Sequence, residues 1–151
     1  MQTDPPILVE VTEDGHGIYS QRVIAGSHAL VADEPAAAGG TGRGPSPYDF
    51  LLIGLGSCTS ITLRMYASRK QWPLQRISVR LWHRRVHADD CADCRSQDAH
   101  IHEIGRDLVL EGPLSDQQKQ RLVEIAGHCP VHRTLTSEIR IRTALAPAVV
   151  A

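Results

Sequence analysis

The chain has 151 residues, 42% of them hydrophobic and 22% charged, with a formal net charge of −1. That length suits one domain with its own core, so residues 1–151 are read as a single domain. The near-zero charge excludes a nucleic-acid surface or a polybasic membrane patch as the organising feature.

Met1 to Pro6 has neither the basic region nor the apolar run of a signal peptide. Arg64 interrupts the best apolar run, so no segment is expected to cross a membrane. The expected address is the cytoplasm. There Cys58, Cys91, Cys94 and Cys129 are catalytic, metal-binding or buried thiols rather than permanent disulfides.

Ile7 to Val11 reads as a strand closed by the Asp14-Gly15 turn. Gly17 to Ala25 follows as a second strand, Gly26-Ser27 turns, and His28 to Ala32 is a third, which predicts an antiparallel meander. Pro35 to Gly44 is a flexible loop by composition, expected to fold over the start of the next helix. It lacks the strand and the lysine of a phosphate loop.

Ser46 is a good N-cap, Pro47 suits the first helical position, and Asp49 stands three residues after Ser46 as in a capping box. Leu51, Leu55, Cys58, Thr62 and Met65 fall on one helical stripe. Leu52, Ile53, Ile61 and Leu63 make the other faces apolar too, which predicts a buried helix. Gly54 and Gly56 each cost about 1 kcal/mol of helix propensity, a cost that suits close approach of another element.

Trp72-Pro73 ends that helix. Gln75 to Val86 alternates as a strand, with Ile77, Val79 and Leu81 on one face. Ala99 to Glu111 is a second strand, closed by Gly112-Pro113. Ser115 with Gln118 signals another capping box, and Leu122, Ile125 and Ala126 give a short helix its apolar face. Gly127 suits its end. Glu138 to Thr143 alternates Ile139 and Ile141 as a last strand. The order βββ-α-ββ-α-β is an α+β class, with helices on antiparallel sheets.

Cys58 is mid-helix and Cys129 follows a helix C-terminus. If those helices pack, the two Cα atoms come within the roughly 4.4–6.8 Å that a disulfide requires. Spacing alone proves no such meeting, and two buried cysteines acting as small hydrophobes are the favoured reading of the residues by themselves.

The run Gly-Pro-Ser-Pro-Tyr-Asp-Phe-Leu-Leu-Ile-Gly-Leu-Gly-Ser-Cys-Thr, with Cys-Pro-Val-His-Arg-Thr-Leu farther on, closely resembles the OsmC/Ohr family. The Gly-Gly-x-Gly-x-Gly-Pro lead-in and the order of elements extend the likeness over nearly the whole chain. The resemblance implies an intertwined homodimer, its sheets wrapped around central helices. It also implies a thiol-dependent peroxidase acting on organic hydroperoxides, and in some members on hydrogen peroxide. Cys58 then matches the attacking thiol and Cys129 the resolving one, recycled by an external dithiol without metal or flavin.

Such chemistry requires a thiolate to attack the peroxide and a second thiol to condense with the sulfenic acid. Phe50, Leu51 and Leu55 are the expected wall for the organic group. In typical peroxidase members a glutamate follows the helix-opening proline and holds an arginine beside the thiol. Here that position is Tyr48, with Arg22 and Arg43 as candidate cations. The helix C-terminus before Cys129 disfavours a thiolate, with Arg133 or a protonated His132 as offsets.

His83, His87, Asp89, Asp90, Cys91, Cys94, His100 and His102 crowd one polar region. Cys-x-x-Cys is a zinc-ligand spacing, though a single copy is half a signature. The leading reading is therefore the Cys58–Cys129 peroxidase. A ligand-binding or thiol-sensing dimer and a zinc-stabilised interaction module using Cys91 and Cys94 are the alternatives.

Overall fold

The structure is a computed structural model and describes residues 5–87 and 100–147. It divides into two compact units, Met1–Gly54 with Leu81–Gly105, and Leu55–Arg80 with Arg106–Ala151. The helix α1 (Pro47–Arg69) and the strands β4 (Arg76–His87) and β5 (His100–Glu111) each supply residues to both units.

In the first unit β1 (Val9–Glu13), β2 (Gln21–Ala25) and β3 (His28–Ala32) form the expected antiparallel meander, in the order β1-β2-β3. Val23 lies opposite Val11 on one side and Leu30 on the other. Ala25 pairs with His28 across a two-residue turn, in which Gly26 adopts φ 60°. That is the conformation glycine supplies at the first position of a type II′ hairpin. The first strand starts later than Ile7 and the second later than Gly17. The cause of the second is local: the Asp14 carboxylate accepts the His16 N–H and the Ser20 hydroxyl, which closes the segment between the strands into a loop.

The glycine-rich segment is folded around a carboxylate. Asp33, 2% exposed, accepts the N–H groups of Glu34, Thr41 and Arg43 and the Thr41 hydroxyl. Gly40 is required there, since a Cβ would sit 1.9 Å from the Glu34 carbonyl oxygen. The Thr41 hydroxyl, first among these donors, holds the Asp33 carboxyl below its ordinary range. The capping box of α1 forms as expected. The Ser46 N–H donates to Asp49 at 2.8 Å, and the Asp49 N–H donates to the Ser46 hydroxyl at 3.3 Å. Asp49 is thus committed to the helix start.

In the second unit α1 packs its far half against α2 (Asp116–Ala126). Leu63, Ala67, Leu74, Leu114, Leu122, Ile125 and Ala126 make the core, flanked by Tyr66, Trp72, Ile77, Leu108 and Leu110. The buried residues of α1 are Leu55, Gly56, Thr59, Leu63 and Ala67. The expected stripe was one step off: Leu51 and Met65 are about half exposed in the single chain. A helix apolar on every side gives no periodicity by which to choose a face.

Arg64 does not interrupt α1. The helix is long and apolar enough to cross a membrane by length and composition, contrary to expectation. Leu63 and Ala67 nonetheless belong to the packed core, and Arg64 donates to the carbonyls of Leu74 and Gln75. Those bonds tie α1 to the segment that follows it.

β4 and β5 form a two-stranded sheet. Arg84 pairs with Glu103 and Trp82 lies against Gly105, as antiparallel strands require. The α2 capping box is also as expected, with the Gln118 N–H on the Ser115 hydroxyl and the Ser115 N–H on the Gln118 side chain. Two corrections follow it. A further helix, α3 (Pro130–Leu135), begins directly after Cys129. Glu138 to Thr143 forms no ladder with any described strand, and Ile141 is 87% exposed. A strand exists only when paired, and residues 138–143 pair with none of the described strands.

Candidate functional site

Cys58 and Cys129 come together within the second unit. Cys58 rides on α1, and Cys129 sits at the junction of α2 and α3, fully buried. Both are free thiols, and each perturbs the ionisation of the other. The sequence placed Cys129 at a helix C-terminus, where the dipole disfavours a thiolate. It is instead also the N-cap of α3, with Pro130 at the first helical position. Orphan N–H groups of a first turn favour negative charge.

The two thiols shift in opposite directions. Burial pushes Cys58 up, and the neighbouring Cys129 adds to this; the Val131 N–H and Thr62 hydroxyl only partly offset it. Burial pushes Cys129 up as well, but it is outweighed. The His132 N–H, the Cys58 thiol, the Thr59 hydroxyl and the Val131 N–H together bring Cys129 below the ordinary cysteine value. Of the two, Cys129 is therefore the thiol that releases its proton more readily.

His132 does not supply a cation. Burial lowers its pKa, followed by the charges of Arg106 and His128, so its imidazole is neutral and its backbone N–H makes the contribution. The expected guanidiniums are occupied elsewhere or exposed: Arg43 pairs with Asp14 at 3.3 Å, and Arg22 lies on an exposed position of β2. Sequence reasoning missed Arg106. Its Nη1 donates to the Thr59 hydroxyl at 2.8 Å, and Thr59 neighbours Cys129. Strand alternation put Arg106 on the face of Leu108 and Leu110, where an arginine is out of place unless it reaches a buried partner.

Of the expected substrate wall, Leu51 is about half exposed. Leu55 is 5% exposed and sits in the interior. A predominantly apolar cleft of about 310 Å³ is lined by Thr62, Met65, Tyr66, Arg69, Ile125, His128 and Pro130. It shares Thr62 with the surroundings of Cys58.

In the first unit Tyr48 stacks on His83, with ring centroids 4.4 Å apart and planes 12° apart. His83 Nε2 meets His102 Nδ1 at 2.8 Å, and the His87 and His100 rings meet edge to face. No three metal-ligating side chains converge among the described residues. Cys91 and Cys94 lie outside those residues.

An α+β fold with two mutually perturbed free thiols, one within a helix and one buried at a helix junction, defines a thiol-pair protein. Its family follows from comparison. The model of the family described as OsmC-like protein matches residues 40–144, and the chain belongs to that family. Solved structures share the fold. An OsmC-like protein from Mycoplasma pneumoniae superposes with TM-score 0.69 at 18% identity, over 88% of this chain and 89% of that one. An organic hydroperoxide resistance protein OsmC from Legionella pneumophila gives 0.65 at 17% identity, over 89% and 92%. An organic hydroperoxide resistance protein from Elizabethkingia anophelis gives 0.64 at 16% identity, over 90% and 91%. No curated protein matches the chain.

Proposed function

We propose that this protein is a thiol-dependent peroxidase that reduces organic hydroperoxides through Cys58 and Cys129. The observation that carries the reading is the meeting of two free thiols, distant in sequence, each of which perturbs the other. The names of two structural neighbours, organic hydroperoxide resistance proteins, point the same way. Cys58, the less buried thiol, attacks the peroxide and becomes a sulfenic acid. Cys129 condenses with it, and an external dithiol reopens the disulfide by exchange. The cleft at Met65, Tyr66 and Ile125 takes the organic group. No metal or flavin enters this chemistry. The working unit is a cytoplasmic homodimer, and Leu51, Ile53, Ile61 and Met65 are apolar residues exposed on α1 for it to cover.

The test mixes the protein with cumene hydroperoxide and a dithiol, and compares wild type with Cys58→Ser and Cys129→Ser. Peroxide loss that depends on Cys58, and a Cys58–Cys129 disulfide in peptide maps, are the expected results. Equal loss without Cys58, or a map showing only Cys91–Cys94, overturns the reading.

One observation favours a second reading, a thiol-sensing or ligand-binding dimer. Tyr48, at the position where hydroperoxide-reducing relatives carry their glutamate, stacks on His83, and Asp49 is used as a cap. A protein that consumes no peroxide yet changes structure reversibly on oxidation is that sensor.

A further inference from the structure

Arg106 is the cation beside the thiol pair, and the two-thiol chemistry above gives it no task. Its guanidinium only donates, and it donates to Thr59 Oγ1 at 2.8 Å. Thr59 is fully buried, and its hydroxyl has one proton to place. That proton points to the Leu55 carbonyl at 2.7 Å, while the same oxygen lies beside the Cys129 sulfur. A thiolate is a far stronger acceptor than a thiol, because bonds to ionised groups are roughly twice as strong. The hydroxyl therefore has two settings. It faces Leu55 when Cys129 is protonated and turns to sulfur when Cys129 is charged. Arg106 occupies the hydroxyl oxygen in both settings, and its positive charge favours the second.

We propose that Arg106, acting through Thr59, is the positioning residue that favours the Cys129 thiolate for the resolving step. This rests on the peroxidase reading of the pair. Cys58 attacks the peroxide oxygen; the S–O bond forms as the O–O bond breaks, and Cys58 is oxidised by two electrons while the peroxide is reduced by two. The Cys58 proton passes to Cys129 and then to the departing alkoxide, which leaves as alcohol. Cys129 is again a thiolate, stabilised by Thr59 and Arg106. It attacks the Cys58 sulfenic sulfur; the S–S bond forms, the S–O bond breaks, and hydroxide leaves and takes a proton from solvent to become water. A weak charge on Cys129 delays that step and leaves the sulfenic acid open to a second peroxide.

The groups facing Cys129 are Cys58 and Thr59 from α1, His128 before it, His132 on α3, and Arg106 on β5 through Thr59. Of these, Arg106 is the permanent charge.

The test uses full-length protein in a Cys91→Ser/Cys94→Ser background, so that only the pair is read. Thiolate ultraviolet absorbance is followed against pH, and mass spectrometry counts Cys58 as disulfide or sulfinic acid after cumene hydroperoxide. Arg106→Met should raise the first thiolate midpoint by about one unit and the sulfinic-to-disulfide ratio about tenfold. The first oxidation should slow much less. Arg106→Lys should recover most of the effect, and Thr59→Val should reproduce Arg106→Met whereas Thr59→Ser should not. Should Arg106→Met fail to fold, the two Thr59 variants decide. A folded Arg106→Met, or Thr59→Val, with unchanged midpoint and unchanged sulfinic ratio overturns the proposal. Failure of the peroxidase reading looks different: wild type makes neither disulfide nor sulfinic acid, and the titration alone still reports whether Arg106 acts on Cys129.

Discussion

Leu63 tests how α1 is seated. It lies one turn beyond Thr59, is 0% exposed, and packs in the cluster of Leu74, Leu114, Leu122 and Ile125. Leu63→Ala removes buried methyl groups and leaves a cavity, which costs about 2.7–5.0 kcal/mol in comparable cores. Tyr66 and Trp72, half-buried at its edge, have room to relax into the space, which favours the lower half, about 3 kcal/mol. Total stability is of order 5–15 kcal/mol, so this is a large share. The thermal midpoint should fall by roughly 6–12 °C at about 2–4 °C per kcal/mol for this size. Urea unfolding followed by circular dichroism measures it, with the slope unchanged. Because α1 carries Cys58 and α2 leads to Cys129, disulfide formation at fixed peroxide should slow in the same variant. Ile61→Ala, at a 60% exposed position, is the control and should change the stability of dilute protein by under about 0.5 kcal/mol. A Leu63→Ala loss below about 1 kcal/mol would refute the packing of α1 on α2.

Other perturbations separate the remaining elements. Leu55→Arg puts a charge at a buried position of α1, and size-exclusion chromatography should show loss of the assembled, folded protein; a soluble folded dimer refutes the assignment. Gly105→Ala would place a Cβ 1.9 Å from the Trp82 ring, so the ring must move, at about 1–3 kcal/mol, and Trp82 emission in a Trp72→Phe background should shift. Asp49→Ala removes half of the α1 capping box and should cost about 1 kcal/mol by urea titration. The Ser46 hydroxyl, then its N–H, holds the Asp49 carboxyl below its ordinary value. That contribution is therefore present above the ordinary aspartate pKa and lost as pH falls through the folded one, a trend that Asp49→Ala should flatten. His132 has a lowered pKa from burial and then from Arg106 and His128. Stability should thus hold above the ordinary histidine pKa and drop as pH falls from there to the folded value; an acid limb unchanged in His132→Phe counts against its burial as a neutral ring.

Much of the fold was legible because its signals are local. Both capping boxes, the Gly26 turn and the β3 range follow from a few neighbouring residues, and the structure repeats them. The two thiols were legible only as a possibility, made specific by resemblance. What the sequence concealed lies in relations between elements. Asp33 carries no motif, yet it gathers four donors from the glycine-rich segment. Arg106 looks like one more strand arginine until the strand is placed against Thr59. Cys129 was misjudged because a helix end was visible, but the start of α3 at the next residue was not.

The remaining errors share one physical cause. An apolar pattern records where burial is wanted, not which surface supplies it. Ile139 and Ile141 alternate as a strand would, but no described strand pairs with them. Leu51, Ile53, Ile61 and Met65 read as a buried helix, yet about half or more of each is open in one chain. Polar substitution at these positions would cost a single chain little, so a lone chain gives no reason for so many apolar residues there. The homodimer reading accounts for both sets together, since a second copy can cover the apolar side of α1 and offer an edge to residues 138–143. Under that reading, sequence periodicity describes the assembly while the single chain shows only what it buries by itself. The thiol pair does not wait on the assembly, because α1, α2 and α3 of one chain already bring Cys58 to Cys129.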